Sequence, residues 1–409
     1  MKKYLLIMTL ALLGGVTQVK AWGDMYLVCG ENSDWSTSSN NDNFKFNCIA
    51  ENSYMIYVPG SYVNSGIWYF RFRDKDSESW VNIGPASSTD DANVTDITVE
   101  TNWQNSSKAF YVEQNDRAKW VKISIIYKQD SESNWKWHVS ATYIEDSYTI
   151  GYTNPDNWGT VYVYAYDAQG GLCLGQWHGA EMTPNDGIYT AEVPQGCKVI
   201  FNDNGSNQYP ASGGFDATGN NIFNNTGVIT VSVTTNGSGY CTYVNPSYAL
   251  EISDATAYYA TDRNNGSASA HAITNPAANT PMLIKGNAGT NYTFKAVTSG
   301  TDYSSTNAFK AGTGSPLANT TGDNYNYILN GNTFKAANGQ EVATNKAYLQ
   351  LSQAASASRI LTFPDDEAAA VHAITAEQDN DSYYNLHGVK VAQPTKGLYI
   401  HNGKKLIVK

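Results

Sequence analysis

Tyrosine takes every second position in Val161-Tyr162-Val163-Tyr164-Ala165-Tyr166. The next segments bring Trp177 and then an amide-rich run with Asn202, Asp203, Asn204, Asn207 and Gln208. These residue types share a chemistry that breaks no bond. An aromatic ring covers the weakly apolar C–H face of a pyranose, while amides, carboxylates and phenols at its margin exchange hydrogen bonds with sugar hydroxyls. The period-2 geometry of a strand sends Val161, Val163 and Ala165 to one side and Tyr162, Tyr164 and Tyr166 to the other. Three phenols exposed in a row form an apolar patch that needs a reason. Either sugar stacks on them or a second layer covers them, and alternation alone leaves both open.

Bond-breaking chemistry has far less to stand on. The six histidines, His138, His178, His271, His372, His387 and His401, are scattered. There is no zinc-protease helix motif, nucleophile elbow, P-loop or dinucleotide fingerprint. The carboxylate pair of a glycosidase comes together in space and leaves no motif. Architecture weighs against one here, because sugar hydrolases often use a (β/α)8 barrel of roughly 250 residues. The acidic clusters at Asp90-Asp91, Asp365-Asp366-Glu367 and Asp379 to Asp381 lack the oxygen-ligand spacing of an EF-hand and read as solvated loops. No metal or cofactor is expected.

The elements that must position the aromatic residues are short strands. Runs at Met25–Val28, Phe44–Phe46, Met55–Val58, Ile67–Phe72, Phe110–Val112, Lys119–Ile126 and Trp135–Tyr143, separated by Ser/Asn/Asp turns, predict an antiparallel sandwich over residues 22–146. Alternation places Val121, Ile123 and Ile125 on one face, and Trp68, Phe70 and Phe72 on another, with Tyr69, Arg71 and Arg73 towards solvent. A second domain spans 151–245 and closes with the strand Val228–Thr234. A third, 248–364, carries strands at Met282–Lys285, Tyr292–Ala296, Tyr327–Leu329, Thr333–Ala336 and Ala347–Leu351. Asp365 to Asp379 is a helix or flexible linker. Residues 374–409 form a small terminal β unit whose Asn402-Gly403 pair suits a type I′ hairpin turn. The fold class is thus all-β, a string of antiparallel β-sandwich domains ending in a small β unit. All ten tryptophans lie at or before Trp177, so if aromatic contacts carry function the first two domains are where to look, although most of these tryptophans are expected to fill cores there.

Residues 1–21 have the layout of a secretory signal peptide, with Lys2-Lys3, an apolar run from Tyr4 to Leu13 and a cut after Ala21. No later apolar run approaches the ~20 residues of a membrane helix. The expectation is a secreted or cell-surface protein. Removing three lysines with the leader leaves 23 of the 26 basic residues against 37 acidic ones, a balance near −14. That charge repels nucleic acid. Five cysteines permit at most two disulfides: Cys29 with Cys48, two of Cys173, Cys197 and Cys241, or none at all.

The second domain resembles the starch-binding modules of carbohydrate-binding family 26. The likeness rests on the VYVYAYD strand, the W-x-G-x-x-M run Trp177 to Met182, the GIYTAEVP strand Gly187 to Pro194, and KVIFND from Lys198 to Asp203 with its Asn/Gln loop. It implies an aromatic cradle of Tyr164, Tyr166 and Trp177 for an α-glucan turn, with Asn202, Asp203 and Gln208 bonding glucose hydroxyls. The family commonly has proline where His178 stands. The first domain is similar to immunoglobulin-like starch-binding units of Bacteroidetes surface proteins, through MYLVCGENSDW, GIWYFRFRD and WVNIGP with Trp35, Trp68 and Trp80. The tail YYNLHGVKV…KGLYIHNGKKLIVK resembles a type IX secretion sorting signal at Tyr384, Leu386, Gly388, Val391, Gly397 and Tyr399. Together these imply a non-catalytic α-glucan-binding surface protein that could work beside cell-surface glycan machinery. The alternatives are a protein-binding adhesin or structural surface protein and, more remotely, a glycoside hydrolase.

Overall fold

Val121, Ile123 and Ile125 have no solvent exposure, as alternation along their strand requires. Their strand, Trp120–Gln129, is the centre of a five-stranded sheet ordered Asn47–Ala50, Ser53–Pro59, Trp120–Gln129, Trp135–Ile144, Val99–Thr101. Facing it is a sheet ordered Met25–Val28, Trp68–Asp74, Phe110–Val112, Ala92–Asn93, with Asn82–Ile83 paired to the Trp68 strand. Leu27, Phe70, Phe72 and Phe110 of one sheet and Ile123, Trp137 and Val139 of the other share one apolar core. The structure, a computed structural model, describes residues 23–30, 44–74, 82–87, 89–102, 104, 107–355, 360–363, 383–385, 390–391, 395–401 and 404–408. The leader, Trp35, Trp80, the 365–379 run, Leu386, Gly388 and Asn402-Gly403 lie outside the described residues.

Two expectations in this sandwich are corrected. The strand foreseen at Phe44–Phe46 lies instead at Asn47–Ala50, paired with Ser53–Met55 across a tight turn in which Asn52 takes a positive φ of 56°. The turn sets the register, and Phe46 is left to bury its ring and donate its N–H to Met25. Arg73, foreseen on the solvent side, is fully buried. Its strand is not an edge there: Tyr26 pairs directly opposite, and its ring lies 5.7 Å from the Arg73 guanidinium. Cation–π contact and the burial of a long aliphatic stem suit arginine to such a place.

The second sandwich opens at Ser147. One sheet is ordered Thr183–Asn185, Ile188–Pro194, Ser147–Tyr152, Ile222–Asn224, Gly227–Val228. The other is ordered Ala180–Glu181, Tyr162–Tyr166, Lys198–Asn202, Gln208–Tyr209, with Phe215–Asp216 also on the Lys198 strand. Ile150, Tyr152, Val193 and Phe223 meet Val161, Val163, Ala165, Val199 and Phe201 in a common core. The tyrosine strand therefore sits mid-sheet, with its valines inward.

The two sandwiches are tied by a turn. After Tyr166 the chain reverses over Asp167 to Gly171, where the Asp167 carboxylate caps the N–H groups of Gln169 (2.9 Å) and Gly171 (2.7 Å). The same carboxylate accepts from Lys122 Nζ at 2.9 Å and from the Tyr57 hydroxyl at 2.8 Å, both on the outer face of the first sandwich. Burial works against the charge of Asp167, but Lys122, Tyr57 and the Gly171 N–H outweigh it and hold the carboxyl below the usual carboxylate range. A depressed folded-state pKa gives stability that is present above the ordinary Asp pKa of about 3.9 and is lost as pH falls through the folded value. Asp167→Asn is accordingly expected to lower the thermal midpoint at pH 7 by the equivalent of about 1–3 kcal/mol, between exposed and buried pairs. The gap to wild type should close below about pH 4. A gap that ignores pH would show that charge is not what ties the sandwiches.

By compactness the first unit holds the described residues up to Ser232 together with Tyr248–Glu251 and Thr293–Gly300. Ala249–Glu251 pairs antiparallel with residues 295–297. Ala296 donates its N–H to Ile229, and Thr298 donates to Asn220 through its N–H and to Thr149 through its hydroxyl. In the second unit a sheet ordered Tyr240–Tyr243, Met282–Lys285, Thr256–Asp262, Ala268–Ile273, Leu361–Thr362 and one ordered Phe309–Ala311, Ala347–Leu351, Asn324–Asn330, Thr320–Thr321 bury Leu283, Phe309, Leu349 and Leu351. Its C-terminal strands Gly397–His401 and Lys404–Val408 form an antiparallel hairpin closing at His401 and Lys404. The architecture is all-β, as foreseen.

Candidate functional site

The outer face of the tyrosine strand is built by register. Tyr162, Tyr164 and Tyr166 stand opposite Asn202, Ile200 and Lys198 of the neighbouring strand. Cys173 then bonds back to Ala165 and Met182 back to Val161, so the chain returns antiparallel along the tyrosine strand. Between those bonds, residues 175–179 turn outside the strand pairing and bring the Trp177 and His178 rings against Tyr164 and Tyr162 on the outer face. The return is made by Gly179, whose φ is +83° and whose N–H donates to Gln176. A Cβ there would stand 2.0 Å from the Val163 carbonyl oxygen and 2.6 Å from Tyr164 Cα. Only glycine fits a contact so close in that backbone region.

This excursion lays Trp177 edge-on against Tyr164, with ring centroids 5.1 Å apart at 66°. Tyr166 tilts against Tyr164 at 6.0 Å, and Tyr162 meets His178 edge-on at 6.3 Å. The outward row is therefore present, but Tyr164 is only 7% exposed. Trp177, Tyr162 and Tyr166 remain half-buried, with surface to offer. Period-2 alternation says which side a residue faces and nothing about what covers that side. Burial raises the phenols of Tyr164 and Tyr166 above their ordinary pKa, so both stay neutral donor-acceptors at any pH near 7.

The polar candidates separate into a brace and a rim. Asn202 has no exposure: its Nδ2 donates to the His178 carbonyl at 3.0 Å and its Oδ1 accepts the Asn204 N–H at 3.1 Å. It thus ties the Trp177 excursion to the 203–207 loop. Asp203 closes that loop by accepting N–H groups of Ser206 (2.9 Å) and Asn207 (2.8 Å) and the Asn207 amide (2.6 Å). Burial disfavours its charge, and the Asn207 and Ser206 donors more than offset that, holding the carboxyl below the usual range. Gln208 donates to the carbonyl of Pro210 at 3.1 Å. Exposed side chains on this loop are Asn204, Ser206 and Asn207.

Sequence reasoning named the aromatic residues but missed three others at the site. His178 contributes its carbonyl to Asn202 and its ring to Tyr162, and the Trp177–His178 peptide is cis. Glu181 accepts from the Tyr162 hydroxyl at 3.5 Å. Gly205, at φ +110°, lets the loop approach so closely that a Cβ would stand 2.7 Å from His178 Nε2 and 3.4 Å from Trp177 Nε1. The Trp-His-Gly and Asn-Gly-Ser runs were the visible signals. Trp68, named with the first sandwich, is core, 4% exposed and stacked on Phe70.

The module is thus a five-on-five sandwich with half-buried rings and an amide-bearing loop on one outer sheet face. Residues 150–214 match the family model of starch-binding module 26. The match takes in the tyrosine strand, the Trp177 excursion and the 203–207 loop. Among the described residues no group of three or more His, Cys, Asp or Glu side chains could hold a metal ion, and no helix is long and apolar enough to cross a membrane.

Proposed function

We propose that the chain binds starch or related α-glucans without cleaving them, through the face made by Trp177, Tyr166 and Tyr162 over buried Tyr164, and that it does so as an exported surface protein. The observation that carries this reading is the Trp177 excursion, which holds a half-buried indole against the tyrosine row inside the segment matched by the starch-binding family. Glucose units would cover the rings with their C–H faces while Asn204, Asn207, Gln208 and the Tyr166 hydroxyl meet their hydroxyl edges. Asn202 and Asp203 act through the loop they hold. Each ring contact contributes about 0.5–1.5 kcal/mol, so one face binds weakly and gains from a polymer with many sites. The leader-like start and the sorting-signal-like tail support export and a place at the cell surface.

Native affinity electrophoresis of the full chain in gels cast with soluble amylose, and with soluble cellulose derivative beside it, tests the proposal. Retardation by amylose alone is expected. Equal mobility in both and in a blank gel overturns it.

A further inference from the structure

Cys173 and Cys197 are 3% and 2% exposed, and their sulfurs are in direct contact at 2.6 Å. Each is fixed by its backbone: Cys173 by its N–H to Ala165 on the tyrosine strand, and Cys197 by its carbonyl, which accepts from Ala217, one residue before the paired strand Lys198–Asn202. The other cysteines do not compete. Cys29 and Cys48 are buried in the core of the first sandwich, and Cys241 belongs to the second compact unit.

We propose that Cys173 and Cys197 form a disulfide, a covalent clasp at the root of the excursion that carries Trp177. The residues enclosed between them include Trp177, His178 and Gly179, so the bond closes the segment at both ends onto neighbouring strands. It forms by exchange with an external low-molecular-weight or catalyst disulfide. The thiolate of one cysteine attacks that disulfide, breaking its S–S bond, making a mixed disulfide and releasing one external thiol. The thiolate of the other cysteine then displaces the second external thiol. Two protein S–H bonds are lost, one S–S bond is made, and the external disulfide takes up the two electrons and, with the protons, becomes two thiols. In the folded module the Cys197 sulfur and burial hold the Cys173 thiol well above its ordinary range, so exchange belongs to the chain before the module closes.

Thiol mapping tests the clasp independently of any glucan. The full chain is refolded from denaturant in an oxidising glutathione buffer, alkylated in denaturant and digested. A linked peptide pair containing Cys173 and Cys197, which separates on reduction while Cys241 carries the alkyl label, is expected. Alkylation of Cys173 and Cys197 to the same extent as Cys241, or linkage of either to Cys241, overturns the proposal. In a second measurement, dithiothreitol lowers the thermal midpoint of the wild-type chain by several degrees and leaves that of the Cys173→Ser/Cys197→Ser chain in place. An equal response in both chains overturns it as well. The consequence for binding rests on the proposed function: reduction should weaken amylose retardation in wild type only.

Discussion

Trp177→Ala is expected to weaken amylose binding by roughly 10- to 50-fold, about 1.4–2.3 kcal/mol, while leaving the sandwich folded. The indole lies outside the shared core of the two sheets and contacts Tyr164 by its edge. Its removal takes away the largest ring on the face and leaves the core untouched. It also uncovers Tyr164, which gives back some apolar surface but at the depth of the sheet rather than on the ledge. Titration with a maltooligosaccharide by calorimetry, beside a thermal scan, separates the two effects. A large loss of affinity at an unchanged midpoint is the expected pair of results. Unchanged affinity removes Trp177 from the site.

Gly179→Ala is expected to have the largest effect on the fold of the module. A left-handed backbone costs an L-residue about 1–2 kcal/mol by itself. The added Cβ would in addition stand 2.0 Å from a backbone oxygen of the central strand, which cannot swing aside as a side chain can. Gly196 supplies the control, with an almost identical φ of +82° and nothing within 4 Å of where a Cβ would stand. Gly196→Ala should therefore show the conformational cost alone. Chemical denaturation of both variants should place Gly179→Ala well below Gly196→Ala, and amylose binding should fail with it. Equal destabilisation by the two would mean that the excursion does not press on the strand as described.

Local pattern accounts for much of this molecule. Alternation alone placed Val161, Val163 and Ala165 in the core, as it did Val121, Ile123 and Ile125, because a strand buried on one face has only one register that hides its apolar set. The aromatic members of the candidate site were legible for the same reason. What stayed hidden depends on a second segment arriving. Tyr164 is covered in part because the Trp177 ring arrives from the following turn, Arg73 because Tyr26 pairs opposite it, and Asn202 because a carbonyl and an N–H from two different turns converge on its amide. A buried amide with both ends occupied looks the same in sequence as an exposed one waiting for a sugar. The family likeness pointed to this face, and within it Tyr164 and Asn202 are buried while Trp177, Tyr162 and Tyr166 keep exposed surface.

The return of Thr293–Gly300 to the first unit bears on the order in which the chain can fold. Nascent domains commonly fold from the N-terminus as they emerge, yet here the N–H groups of Ala296 and Thr298 complete the edge at Ile229 and Asn220. Until that late segment arrives, the module has an unpaired strand edge, the kind of surface on which other chains can add. The second sandwich is thus stitched along Asn220 and Ile229 by residues translated after part of the following unit, Ile252–Tyr292, has already appeared.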